Sequence, residues 1–238
     1  MKSWSFFPTL LCLLPVAALA ASPQIVTAPA PFTATYQVLR KGSPLGTSTL
    51  TLTRNTDGTW TFRSRMKAEH GLAAMLGGRV DIMSTFRQHA DRIESLHYVY
   101  ELHTAFSNKQ RDVTVNWQAN TVDVHTSKGR NFHYPPQPGL VDPNTLVLAL
   151  GRAVIAGQTQ ITLPVATKDN VQQQTFVVRD KQTLTVPAGS FTTVRVDRTH
   201  DNKGYSAWFD PARFGAVPVK ITKQSDGDLT LLLESFRR

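Results

Sequence analysis

Cysteine is almost missing from this chain: Cys12 is the only one in 238 residues. Beyond it no disulfide can staple the fold and no thiolate can serve as nucleophile or metal ligand. Stability must therefore come from a buried apolar core. Also lacking are a Gly-x-Ser-x-Gly elbow, a phosphate-cradling glycine loop and a His-Glu-x-x-His helix, so the common signatures of hydrolases, nucleotide enzymes and zinc proteases are absent. No Gly/Ser-rich linker, low-complexity tract or convincing internal repeat divides the sequence. No apolar run reaches the ~20 residues that a spanning helix needs.

The one notable apolar run, residues 6–19, follows Lys2 and closes on Ala18-Leu19-Ala20, a small-x-small pattern. That arrangement predicts a cleavable export signal over residues 1–20, cut after Ala20. Leu11 precedes Cys12 where lipidation needs a small residue, so a lipid anchor there is not expected. Residues 21–31 hold Pro23, Pro29 and Pro31 and read as an extended lead-in. Without Lys2 the 26 basic residues become 25 against 17 acidic ones, a formal charge of +8. An exported protein rarely meets nucleic acid. The anions it would meet are lipid headgroups, lipopolysaccharide phosphates and acidic wall polymers, unless the charge serves solubility alone.

What is present is strand grammar. Residues 47–54 alternate Ser48, Leu50 and Leu52 against threonines. Asn55-Thr56-Asp57-Gly58 then offers a tight turn, and the return strand sets Trp60, Phe62, Ser64 and Met66 opposite Thr61, Arg63, Arg65 and Lys67. Further strands are predicted over 93–106, 111–117, 121–126, 131–134, 171–179, 182–186, 191–200, 205–209, 217–223 and 229–236, separated by turn residues. Two segments break the pattern. Asp142-Pro143-Asn144 opens an apolar run, 145–155, that predicts one helix, and 72–76 before Gly77-Gly78 suits a helical turn. The helix follows the densest proline cluster, 135–139, which reads as a joint between two β halves within one domain spanning 32–238. The fold class expected is mainly β: a curved antiparallel sheet forming a roll or incomplete barrel, with one central helix. The Leu146, Leu150 and Ile155 side of that helix should pack on the sheet's opening or edge.

Candidate sites follow from residue type. His97, Glu101 and His103 share one strand face, with Glu101 and His103 roughly 7 Å apart. They could ligate a metal only with a third ligand such as His125 or His133, and strand alternation explains them equally as a wet face. Arg63, Arg65 and Lys67 form a cationic row that would hold an anion, or pair with acids across the sheet. The aromatics Trp60, Phe62, Tyr98, Tyr100, Trp117 and Trp208 could line a cavity for an apolar ligand or fill a core. Ser190, in a turn before a strand, has no assignable base, so no catalytic residue and no cofactor are expected.

Several stretches carry a resemblance: Pro31-Phe32-Thr33-Ala34-Thr35-Tyr36 with Gly42 and Gly46, then Pro187-Ala188-Gly189-Ser190-Phe191, then Trp208-Phe209-Asp210-Pro211 leading to Val217-Pro218-Val219-Lys220-Ile221. From Phe32 to Phe236 the chain resembles an uncharacterised bacterial family, domain-of-unknown-function family 3108. The resemblance implies an exported, mostly β protein of the periplasm of Gram-negative envelopes, and brings no catalytic residues with it. One strand pair is also similar to periplasmic lipoprotein carriers with half-open barrels. The functional expectation is non-catalytic binding of an apolar or amphiphilic envelope component. The alternatives are a hydrolase or metal-dependent enzyme on envelope substrates, and an integral outer-membrane barrel, against which short strands, a central helix and the ending Phe236-Arg237-Arg238 argue.

Overall fold

The computed structural model describes residues 29–199, 204–224 and 228–238. The expected export signal with Cys12, the expected lead-in up to residue 28, and residues 200–203 and 225–227 lie outside the described residues.

Eight strands come first: β1 (Phe32–Arg40), β2 (Ser43–Arg54), β3 (Trp60–Ala68), β4 (Arg79–Gln88), β5 (Ile93–Thr104), β6 (Ser107–Asn116), β7 (Thr121–Thr126) and β8 (Asn131–Tyr134). They form a meander, with the short helix α1 (Gly71–Met75) between β3 and β4. The chain then passes through α2 (Leu146–Ile155) into β9 (Gln160–Ala166), β10 (Val171–Val186), β11 (Gly189–Arg198) and β12 (Tyr205–Phe209). It ends through α3 (Pro211–Phe214), β13 (Pro218–Lys223) and β14 (Leu229–Arg237). All fourteen strands belong to one antiparallel sheet, in which β1 pairs with β14 and the outermost strands are β8 and β9. The ladder is not closed into a barrel.

Alternation sets the faces. In β1, Phe32, Ala34, Tyr36 and Val38 are buried, while the residues between them are half-buried. Gly46 lets β2 approach β3 closely, since a Cβ there would lie 2.0 Å from the Lys67 carbonyl oxygen. The turn after β2 forms as its residues require: Gly58 takes φ +82°, and the Asp57 carboxylate accepts from the Thr59 amide and hydroxyl. The segment between β8 and α2 ties the outer strand β9 to β5. The Val141 amide donates to the Pro164 carbonyl at 2.9 Å, the Ala166 amide to the Val141 carbonyl at 2.8 Å, and the Ser95 amide to the Leu140 carbonyl at 2.9 Å. Covering an outer strand in this way removes a template for aggregation.

The larger apolar cluster gathers around α2 and includes Phe32, Leu52, Phe62, Phe86, Phe176, Phe209 and Leu233. Every residue from Leu146 to Ala153 is buried, so the helix is enclosed on all sides instead of resting one side on an edge, as the sequence suggested. Its apolar run lacks a polar face, and a helix hydrophobic all round belongs inside. Gly151 permits a close contact with the segment after α3, because a Cβ would stand 2.5 Å from the Ala216 carbonyl oxygen. Asp142 fixes the helix start. Its buried carboxylate accepts from Ser84 Oγ (2.9 Å), Ser95 Oγ (2.7 Å), the Asn144 amide (2.8 Å) and the Thr145 amide (2.9 Å). Asn144 Nδ2 reaches the Phe62 carbonyl at 3.0 Å, which stitches the helix entry to β3, β4 and β5. A second cluster holds Tyr98, Val113, Val115, Val122, Val124, Tyr134, Leu140 and Ala166.

Other expectations need correction. The predicted strands 171–179 and 182–186 are one strand, β10, with a bulge where Val178 and Lys181 pair consecutively with β11. Asp210-Pro211 starts a helix rather than a turn, since Pro211 suits a first helical position and Asp210 caps the Arg213 amide. β1, β4 and β9 had no counterpart among the predicted strands.

Candidate functional site

Of the six aromatics considered for a ligand, Trp60 and Phe62 fill the larger core. Tyr98 is buried in the smaller cluster, with Tyr100 and Trp117 packed against it, and Trp117 Nε1 donates to the Ser95 carbonyl at 3.1 Å. Trp208 belongs to neither cluster. It lies directly across from Arg195 on β11 and Lys220 on β13, with the guanidinium 5.1 Å and the ammonium 4.7 Å from its ring. Burial, and then the Arg195 charge, push the Lys220 ammonium below its usual pKa.

The cationic row is divided. Arg63 forms a forked pair with Asp81, at 2.9 and 2.6 Å, and Arg65 reaches the same carboxylate at 3.3 Å. Burial alone would raise the Asp81 pKa, but the Arg63 hydrogen bonds and both guanidinium charges hold it below the usual range. Lys67 is exposed and stands opposite Arg79.

The histidines do not converge. His97 pairs with Asp112 at 3.0 Å, His133 with Asp123 at 2.7 Å, and His125 with Asn131 at 3.0 Å. His103 contacts Asn108 at 3.2 Å and Glu101 at 3.7 Å. Among the described residues no three metal-ligating side chains of His, Cys, Asp or Glu gather at one point. Ser190 hydrogen-bonds Thr185 at an exposed turn, and Asp197 is occupied by Arg179, Arg195 and Ser206. The Ser84–Ser95–Asp142 group is buried, which suits a latch and denies a substrate entry.

A site appears elsewhere, against α2. A cleft of about 570 Å³ opens between the helix and β9. That lies within the roughly 300–1,000 Å³ typical of small-molecule sites. On the helix side it is lined by Ala149, Ala153 and Ala156, whose small side chains leave the space open. Opposite stand Ile161 and Leu163, and the 90–93 turn and Pro138–Val141 segment complete the wall. A smaller cavity of about 150 Å³, lined by Phe32, Leu52, Phe86, Leu148 and Phe236, adjoins a neighbouring face of the helix. Arg152 lines both. Only 8% exposed, it donates from Nη2 to the Ala90 carbonyl at 3.0 Å. Burial pulls its pKa down and Asp91 partly offsets this. A guanidinium remains charged in proteins regardless, so the charge is held in a poorly solvated place. None of the six aromatics lines either space. The readable signal was Arg152 itself, the one charge inside the run Leu-Val-Leu-Ala-Leu-Gly-Arg-Ala-Val-Ile.

Fold and cleft together define a β-barrel-like protein whose open sheet is plugged by a helix. The chain belongs to the family described as protein of unknown function DUF3108, whose model matches residues 31–234. A crystal structure of a β-barrel-like protein of the domain of unknown function DUF1849 from Brucella abortus is similar over 87% of this chain and 96% of its own, at 14% identity and a TM-score of 0.54. That likeness is one of fold. No curated protein matches the chain.

Proposed function

We propose that this protein binds a small anionic amphiphile in the cleft beside α2, without transforming it. The observation that carries the reading is Arg152: a buried guanidinium in the common wall of two spaces, whose other polar lining is Asp91, Arg92, Gln158 and Thr162 in the larger and Gln88 and Arg238 in the smaller. An anionic headgroup would meet a charge already stripped of water, and an apolar tail would replace water along Ile161, Leu163 and the alanines. The predicted export signal and basic balance support an envelope setting, where such amphiphiles are abundant. Denaturation with sodium dodecanoate and with dodecanol tests this. Dodecanoate at a hundred times its dissociation constant should stabilise by about 2.7 kcal/mol. Dodecanol should do far less, and Arg152→Met should abolish the difference. Equal shifts for acid and alcohol, or an unchanged response in the variant, would sink the assignment.

A further inference from the structure

We infer that one end of the β1–β8 meander is a docking surface for an anionic phospholipid bilayer. This goes beyond the cleft, which lies at the opposite end, beside the β4–β5 turn. Hairpins of a meander alternate between two ends, and the two ends here differ sharply. At one, Leu72 is 68% exposed, Met75 83% and Phe106 86%. Leu72 and Met75 sit on α1, and Phe106 tips the β5–β6 turn. The Ala105 amide donates to the Leu76 carbonyl at 2.8 Å, so the two turns stand side by side. Large apolar side chains held this far into water are unfavourable unless something covers them.

Charge says what covers them. The four turns at this end carry exposed cations: Arg40 and Lys41 in the first, Lys67 and Arg79 flanking α1, Lys109 after Phe106, Lys128 and Arg130 in the last. Among the described residues, Glu69, Glu101 and, where it abuts the first turn, Asp228 stand against these seven. Lys67 and Arg79 oppose each other in register, a like-charge pair that an external anion would relieve. At the other end Arg54, Arg87 and Arg92 are balanced by Asp57, Asp91 and Glu94. An apolar tip rimmed by cations, spread over roughly 35 Å of turns at ~4.8 Å per strand, matches a membrane interface: apolar groups enter the acyl boundary while cations stay at the phosphates.

Vesicle sedimentation with the purified protein tests this. Vesicles of phosphatidylglycerol and phosphatidylcholine should bind it, phosphatidylcholine alone should not, and half-molar salt should weaken binding. Met75→Ser with Phe106→Ser should cut partitioning about tenfold. Lys67→Gln with Arg79→Gln should cut it about fivefold per charge. Melting temperature should hold in both, because the side chains are exposed. All variants share one N-terminus, so a difference belongs to the tip. Unaltered partitioning in folded variants, or equal binding to neutral vesicles, would overturn the inference. So would a dimer of the parent protein that Phe106→Ser dissociates, since the tip's occupant would then be a second copy. Arg152→Met should leave partitioning unchanged, which separates this outcome from that of the cleft.

Discussion

The two apolar clusters are built from the same strand alternation and differ in how far apart their members lie in the chain. The smaller draws Val113, Val115, Val122 and Val124 from consecutive strands, and only Leu140 and Ala166 come from further away. The larger joins β1–β4 with β9–β14 and wraps a helix buried on every side. Alternation along neighbouring strands suffices to make a sheet with one dry face. It takes a segment with no wet face to draw distant strands into a common core.

Substitutions can break that contrast. The severest is Leu150→Asp, which places an unpaired charge where the native side chain is fully buried. It should cost about 4 kcal/mol or more and lower both clusters in one cooperative melt. Two separable transitions in circular dichroism, only one of them moved, would show the clusters to be independent. Asp142→Ala comes next. It strands two buried hydroxyls and two amides, and should cost about 3 kcal/mol in urea denaturation. A loss within error of zero would mean water replaces the carboxylate and the latch is dispensable. Val124→Ala should cost about 2 kcal/mol, with amide exchange rising first in β5–β8. Exchange rising equally around α2 would erase the distinction.

Acid should act on both regions, more gently. Asp81 in the meander, Glu94 at its turn and Asp197 on β11 are each desolvated, which raises their pKa. Ion-pair and hydrogen-bond partners outweigh this and hold them below ordinary values: Arg63 for Asp81, Arg92 and His89 for Glu94, Ser206, Arg195 and Arg179 for Asp197. A depressed carboxylate stabilises above its unfolded pKa of about 4 and loses that contribution as pH falls through the folded value. The melting temperature should therefore stay level on these groups' account down to about pH 4 and drop below it. Asp81→Asn should flatten the drop, and an unchanged melting temperature at pH 3 would remove these carboxylates from the account.

Much of the sheet could be read before it was seen. Trp60 and Phe62 alternate with polar residues, Tyr98 and Tyr100 with His97, Val99 and Glu101, and β3, β5, β7, β8 and β12 begin where the predicted strands begin. β9 escaped because Pro164 sits inside it, which only an outer strand tolerates. β4 escaped because Ser84 interrupts its dry face and Met83 occupies the other. The helix was signalled by Asp142-Pro143-Asn144, but its burial depends also on strands far off in the chain, as Asn144 reaching Phe62 illustrates. The cleft was hidden for the same reason: its walls come from residues 90–93, 138–141, 149–156 and 158–164, and no local pattern marks their meeting.

The pairing of β1 with β14 sets the order in which the molecule can form. Those strands pair from Thr33 with Arg237 to Arg40 with Leu229, with one shift of register after Thr35, nearly the whole described chain apart. Closing so long a loop is entropically costly and slow, whereas each hairpin of β1–β8 needs only its neighbour. The meander should collapse first and wait, its apolar face uncovered, until the last strand docks and encloses α2. Refolding followed at Trp117 and at Trp208 separately would then show an early and a late phase, and a single shared phase would refute the sequence. A chain that assembles in this order keeps its core unfinished until its final residues are free to join it.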